Sequence, residues 1–272
     1  MPIRPLTDLS DPVVSPYRIV REPQLAEGHG LFVAEGRLVV ERLITMRTHR
    51  VRSVLVSPAT LQALEPVLRE LEPGVDVLVV SAEQMEQVAG FNLHRGCLAL
   101  AERPRPLEPS DVIRAAQLVV ILDAIRDADN VGSIFRNAAA FGAGPVLLGA
   151  GTCDPLYRKA IRTSMGATLQ VPYAQCGRWP AELADLRVAG FTTMALSPRA
   201  TLTIEESLAQ VAPSAKLALI FGSEGAGISA DVERAADVSL RIPISSAVDS
   251  LNVAVASGVV LHHFARHAGL RY

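Results

Sequence analysis

LRIPISSAVDSLNVAVASG, residues 240–258, decides how the rest of the chain is read. An apolar strand runs to Pro243, a serine-rich loop follows, and a mostly apolar helix opens near Asp249 and Ser250. Either of those side chains suits a helix N-cap, whose oxygen accepts a backbone N–H of the first turn. Asn252 is an amide at the head of that helix, and a buried amide needs hydrogen-bond partners. On these residues alone, capping and ligand binding are equally good readings.

Two earlier stretches share this layout. In LDAIRDADNVGSIFRNAAAFGA, residues 122–143, a strand ends near Asp123, a polar loop follows, and Asn130 is a candidate cap for a helix that carries Arg136. Helical side chains lean toward the N-terminus, so the Arg136 guanidinium is expected over the first turn, near Asn130 and Ser133. A fork of donors at a positive helix end suits a phosphate or a developing oxyanion. The plain alternative is a capped helix with a solvated arginine. In LALIFGSEGAGIS, residues 217–229, an apolar strand runs into Gly222, Glu224, Gly225 and Gly227. Glycines there permit positive φ or close backbone approach to a ligand. No GK[ST] follows, and no GxGxxG is present, so neither a Walker loop nor a dinucleotide fingerprint is indicated. Each stretch puts a polar loop at the carboxyl end of a strand, where α/β sheets bind ligands.

Outward from these motifs, the chain alternates strands and helices throughout. Of its 272 residues, 49% are hydrophobic, 20% charged and only 4% aromatic. A core of Val, Leu, Ile and Ala fits an α/β protein rather than an aromatic-rich sandwich. The formal net charge of −2 excludes a tail-driven nucleic-acid binder but not a local basic patch. Lys159 and Lys216 are the only lysines, so the basic residues are nearly all arginine, through codon bias or through a need for bidentate phosphate contacts. Three widely spaced cysteines fit no disulfide framework or zinc knuckle, and Asp123, Asp127 and Asp129 match no metal-ligand spacing. No metal is expected. No apolar run is long enough to span a membrane, no signal-peptide core is visible, and a cytoplasmic location is expected.

Residues 1–16, with Pro2, Pro5, Pro12 and Pro16, read as an extended, poorly ordered arm. Residues 17–105 form one α/β unit and 106–272 a second, divided at RPRPLEPS, residues 103–110, whose prolines disfavour helix and central strand. In the first unit, Arg37, Arg42, Arg47, Arg50 and Arg52 face only Glu41 within their own segment. They read as a phosphate track or as a solvated helix face. Arg158, Lys159 and Arg162 make a second basic cluster. The final helix, apolar nearly all round, is expected to be largely buried.

Taken in order, N-x5-R, FGSEG-x-G and IPI…SLNVAVA resemble the SpoU/TrmH family of SPOUT methyltransferases, which methylate the 2′-hydroxyl of RNA ribose. The resemblance spans residues 117–267. Phe32–Glu102, ending in GFNLHRGCLALAE, looks more loosely like that family's N-terminal substrate-binding domain. The resemblance implies an α/β fold with a parallel-sheet SPOUT domain containing a deep trefoil knot, plus a smaller ribosomal-protein-like α/β domain. It implies S-adenosyl-L-methionine as cofactor, held by Gly222, Ile242 and Leu251, with Leu148 and Gly149 added to the same pocket. It implies a catalytic shell of Asn130, Arg136, Glu224, Ser250 and Asn252. RNA, rRNA before tRNA, would be the substrate, gripped by the two arginine clusters, and the protein would act as a homodimer. A non-catalytic RNA-binding module on the same scaffold is the alternative, and a nucleotide-dependent oxidoreductase is disfavoured by the missing GxGxxG.

Overall fold

The computed structural model describes residues 2–18, 22–89, 96–208, 211–212 and 215–268. The GFNLHR part of the N-terminal match, residues 90–95, lies outside the described residues. The chain forms two compact units. The first comprises Met1–Arg105 with Leu156–Leu169, and the second Pro106–Pro155 with Gln170–Tyr272.

The first unit is built on a mixed five-stranded sheet of β1 (Ile3–Pro5), β2 (Leu31–Glu35), β3 (Val51–Val56), β4 (Asp76–Val79) and β5 (Cys97–Glu102), in the order β1-β4-β3-β5-β2. β1 and β3 run parallel to β4, whereas β5 runs antiparallel to β2 and β3. Leu55, Leu78, Leu98 and Leu100 form its core with Leu6, Val14 and Tyr17. The expected disordered arm is therefore folded. Ile3–Pro5 is an edge strand, a position that tolerates proline, and Asp11 caps a 3-10 turn at Pro12–Val14. Leu6 and Val14 are buried, and burying them offsets the cost of ordering the segment.

Leu156–Leu169 belongs to this unit by packing, not by sequence position. Glu35, a buried carboxylate at the end of β2, is paired with Arg158 at 3.3 Å and Arg162 at 3.0 Å. Arg42 donates to the Met165 carbonyl at 2.6 Å. The expectation of one uninterrupted second block over 106–272 is corrected here, because a buried acid needs cations and these come from residues 158 and 162.

The second unit holds an all-parallel seven-stranded sheet. Its strands are β6 (Leu118–Asp123), β7 (Val146–Leu148), β8 (Tyr173–Gln175), β9 (Phe191–Leu196), β10 (Leu202–Thr203), β11 (Lys216–Gly222) and β12 (Val238–Arg241). The order is β10-β12-β9-β11-β6-β7-β8, so β11 inserts between β6 and β9. Every residue of β6 is buried, as expected of a parallel strand covered on both faces. The helices Ala128–Ala140 and Val253–His267 pack together. Asn137 Nδ2 donates to the Ala254 carbonyl at 2.8 Å and to Ser257 Oγ at 2.9 Å, which fixes their register.

The final helix is only partly buried. Val260, Leu261 and Phe264 are enclosed, while Val255 is 55% and Val259 40% exposed. Residues four apart share one stripe, so these valines present an unpartnered apolar strip. Among the described residues no helix is long and apolar enough to cross a membrane.

Candidate active site

The loops after β6, β9, β11 and β12 gather at the carboxyl end of the parallel sheet. Asp127, not Asn130, caps the Ala128–Ala140 helix, accepting from Asp129 N at 2.7 Å. Asn130 falls inside that helix and is 7% exposed. Asn252, not Ser250 or Asp249, caps the Val253–His267 helix, its Oδ1 accepting from Ala254 N at 2.9 Å and Val255 N at 3.3 Å. Capping leaves the Asn252 amide nitrogen to donate elsewhere. It reaches Asn130 Oδ1 at 3.1 Å and Glu224 Oε1 at 2.5 Å. Three of the expected catalytic residues, from three separated segments, are thus bonded through one amide.

Two cavities flank this triangle. The first, of about 310 Å³, is walled by Leu196, Phe221, Ile242, Leu251 and Val253, with Gly222, Gly225 and Gly227 on its backbone side and Ser197, Asp249 and Ser250 at polar positions. Apolar walls with a few polar groups are the usual make-up of a small-molecule site. The second, of about 440 Å³, is lined by Asn130 and Glu224 together with Asp123, Arg126, Asp127 and Ser223. Gly227 contributes to both. The intervening loop closes on itself. Gly227 N donates to the Ser223 carbonyl at 2.8 Å, and Gly225 and Gly227 have φ of +82° and +72°. Gly222 is required by that closure, because a Cβ there would stand 2.3 Å from the Gly227 carbonyl carbon and the Ile228 nitrogen.

Gly222, Ile242, Leu251 and Ser250 therefore share the first cavity. Leu148 and Gly149 do not line it. Leu148 ends β7 and Gly149 follows it, and β7 lies across β6 from β11; the space beside Gly149 is taken by Trp179, whose Nε1 would be 2.9 Å from an added Cβ. Leu196, Ser197 and Pro198, at the end of β9, take the place expected for them. Arg136 is exposed and lines neither cavity, and its side chain has no hydrogen-bond or ion-pair partner among the described residues. At 100° per residue it is rotated roughly 240° from Asn130, so it cannot share Asn130's buried face.

The basic clusters are more compensated than the linear sequence suggests. Arg47 lies 3.7 Å from Glu70, Arg50 3.6 Å from Glu102 and 3.9 Å from Glu72, and Arg52 2.7 Å from Glu102. Arg37 is exposed. Arg158 and Arg162 serve Glu35, as described, and Lys159 lies beside Arg158 in the same short helix, Arg158–Thr163.

The model of the SpoU rRNA methylase family matches residues 117–262, and the chain belongs to that family. An uncharacterised tRNA/rRNA methyltransferase of Mycobacterium tuberculosis is 38% identical over 274 residues, covering 97% of this chain and 92% of the relative. The 23S rRNA (guanosine(2553)-2′-O)-methyltransferase RlmP of Bacillus subtilis is 27% identical over 232 residues, covering 85% of this chain and 87% of RlmP. The crystal structure of an AdoMet-bound rRNA methyltransferase from Sinorhizobium meliloti superposes with a TM-score of 0.83 at 25% identity, over 97% of this chain and 98% of that one.

Proposed function

We propose that this protein transfers the methyl group of S-adenosylmethionine to the 2′-hydroxyl of a ribose in structured RNA, ribosomal RNA before tRNA. The observation that carries this reading is the Asn130–Asn252–Glu224 triangle standing between an apolar cavity and a polar one. Ile242, Leu251 and Leu196 offer walls for an adenine, and the glycine loop an unobstructed backbone for the rest of the cofactor. Bound there, S-adenosylmethionine supplies an electrophilic methyl on a sulfonium.

The chain's own tasks are then to orient the ribose and let its proton depart. Asn252 fixes Glu224 through Oε1, and Glu224 Oε2 takes a hydrogen bond from a ribose hydroxyl. A guanidinium is a poor proton acceptor, so arginine is not assigned as the base. Arg136 instead binds a phosphate and stabilises the developing alkoxide, while water or a phosphate oxygen takes the proton. Because Arg136 stands apart from the triangle of its own chain, we read the enzyme as a homodimer. The Val255 and Val259 strip would be covered by a second copy, and RNA and cofactor would be held by different subunits. The second unit is read as the knotted SPOUT domain and the first as the RNA reader, using Arg37, Arg42, Arg47, Arg50 and Arg52, with the Arg158–Arg162 helix alongside. The work is cytoplasmic, where the RNA is.

Incubation with radiolabelled methyl donor and separated rRNA and tRNA fractions tests the substrate. Label in rRNA is expected, and label confined to tRNA would overturn the rRNA assignment. S-adenosylmethionine should raise the melting temperature and NAD should not.

A further inference from the structure

The triangle holds Glu224 at Asn252, and further along the same stretch of chain the backbone is anchored a second time, at Ser229. Asp123, the last residue of β6, is 4% exposed and lies beside Gly222 of β11 in the sheet. A buried carboxylate is costly to desolvate and needs a donor for each oxygen. Here Oδ1 accepts from the indole Nε1 of Trp179 at 2.8 Å, and Oδ2 accepts from the backbone nitrogen of Ser229 at 2.9 Å. Among the described residues no cationic side chain pairs with it. Trp179 can approach because residue 149 is glycine, where a Cβ would meet Nε1 at 2.9 Å.

Ser229 is where the Ser223–Gly227 loop leaves for the next helix, Ala230–Ala235. The loop is therefore tied at its entry by β11 and at its exit by Asp123. Glu224 is carried between those ties and meets Asn252 at 2.5 Å. The same loop lines both cavities. We propose that Asp123 and Trp179 are positioning residues for Glu224, and that the Asp123 carboxylate couples the loop, and with it the occupancy of the cofactor cavity, to the indole of Trp179. This rests on the methyl-transfer reading above. Trp179 is the single tryptophan of the chain, so its emission reports the surroundings of this one indole, the Asp123 contact among them.

The test uses the full-length protein with Asp123→Asn and, separately, Trp179→Phe. Asparagine keeps the shape but turns one acceptor into an NH2 that must face an N–H. Phenylalanine removes only the indole donor and most of the ring's second lobe, and serves if the asparagine variant fails to fold. Titration with S-adenosylmethionine should shift the tryptophan emission of the wild type, and the shift should be lost in Asp123→Asn. In both variants kcat should fall about tenfold or more, since small misplacements of a reacting group cost that much. The RNA KM and the cofactor Kd should stay within about threefold of wild type. Wild-type emission indifferent to cofactor, or wild-type kcat in both variants, overturns the proposal. So does a parallel loss of kcat, cofactor affinity and melting temperature, which marks mere structural support. The emission titration needs no RNA. A wild-type protein that binds cofactor yet methylates no RNA therefore strikes the functional reading and leaves the emission shift to decide this one.

Discussion

Asn252 has two jobs that different substitutions separate. Its oxygen caps a helix, and its nitrogen joins Asn130 to Glu224. Asn252→Ser keeps a capping oxygen and loses the amide donor, so stability should stay near wild type while methyl transfer falls at least tenfold. Asn252→Ala loses both, and chemical denaturation should show a further loss of about 1 kcal/mol. Equal activity in the serine variant and the wild type would show that the triangle is only a cap. The cysteines give a second test at this scale. Burial pushes the Cys97 and Cys176 thiols up to about 12, and Glu182 adds to the effect at Cys176. Only thiolate reacts quickly, and at pH 8 a thiol with so high a pKa is almost wholly protonated. A thiol reagent should therefore label Cys153 ahead of the other two in the native protein, with full labelling only after unfolding.

Among the elements, the Ser223–Gly227 loop depends most on one residue type. Gly222→Ala places a methyl 2.3 Å from the loop's own backbone, so the loop must open. Cofactor affinity measured by calorimetry should fall at least tenfold, while far-ultraviolet circular dichroism stays unchanged. The sequence makes such loops visible because a glycine-rich or serine-rich run after an apolar strand has few other uses. It is less informative about exact caps, since Asp127, Asn130, Asp249, Ser250 and Asn252 are all good capping residues and only the backbone path selects among them. Strand neighbours are harder still. Ser197 and Pro198 follow β9 as plainly as Gly149 follows β7, yet only the insertion of β11 between β6 and β9 brings the first pair to the apolar cavity. Charge has the same difficulty. Glu70, Glu72 and Glu102 are distant in sequence from the Arg47–Arg52 cluster and adjacent to it in the fold.

For the molecule as a whole, the exposed strip on the last helix and the isolated Arg136 point to the same arrangement. Val255→Asp with Val259→Asp should shift the mass in light scattering from dimer to monomer and abolish activity. A monomeric wild type that is fully active would contradict the shared site. Arg136→Lys keeps the charge but not the planar fork, so it should lose most activity and retain cofactor binding. Replacing Arg47, Arg50 and Arg52 by Ala should weaken RNA binding and flatten its salt dependence, because each phosphate contact adds about 0.7–0.9 to the slope. The partial neutralisation by Glu70, Glu72 and Glu102 sets a change smaller than three full contacts. Deleting residues 1–105 is a poorer test, since it would strip Leu156–Leu169 of its packing partners. The central claim is that the acceptor is a ribose hydroxyl. It is tested most directly by transferring tritiated methyl groups to RNA and digesting the product with alkali. A 2′-O-methylated ribose resists cleavage at its own phosphodiester, so the label should appear in alkali-stable dinucleotides. Label recovered wholly in mononucleotides, on the bases, would contradict it.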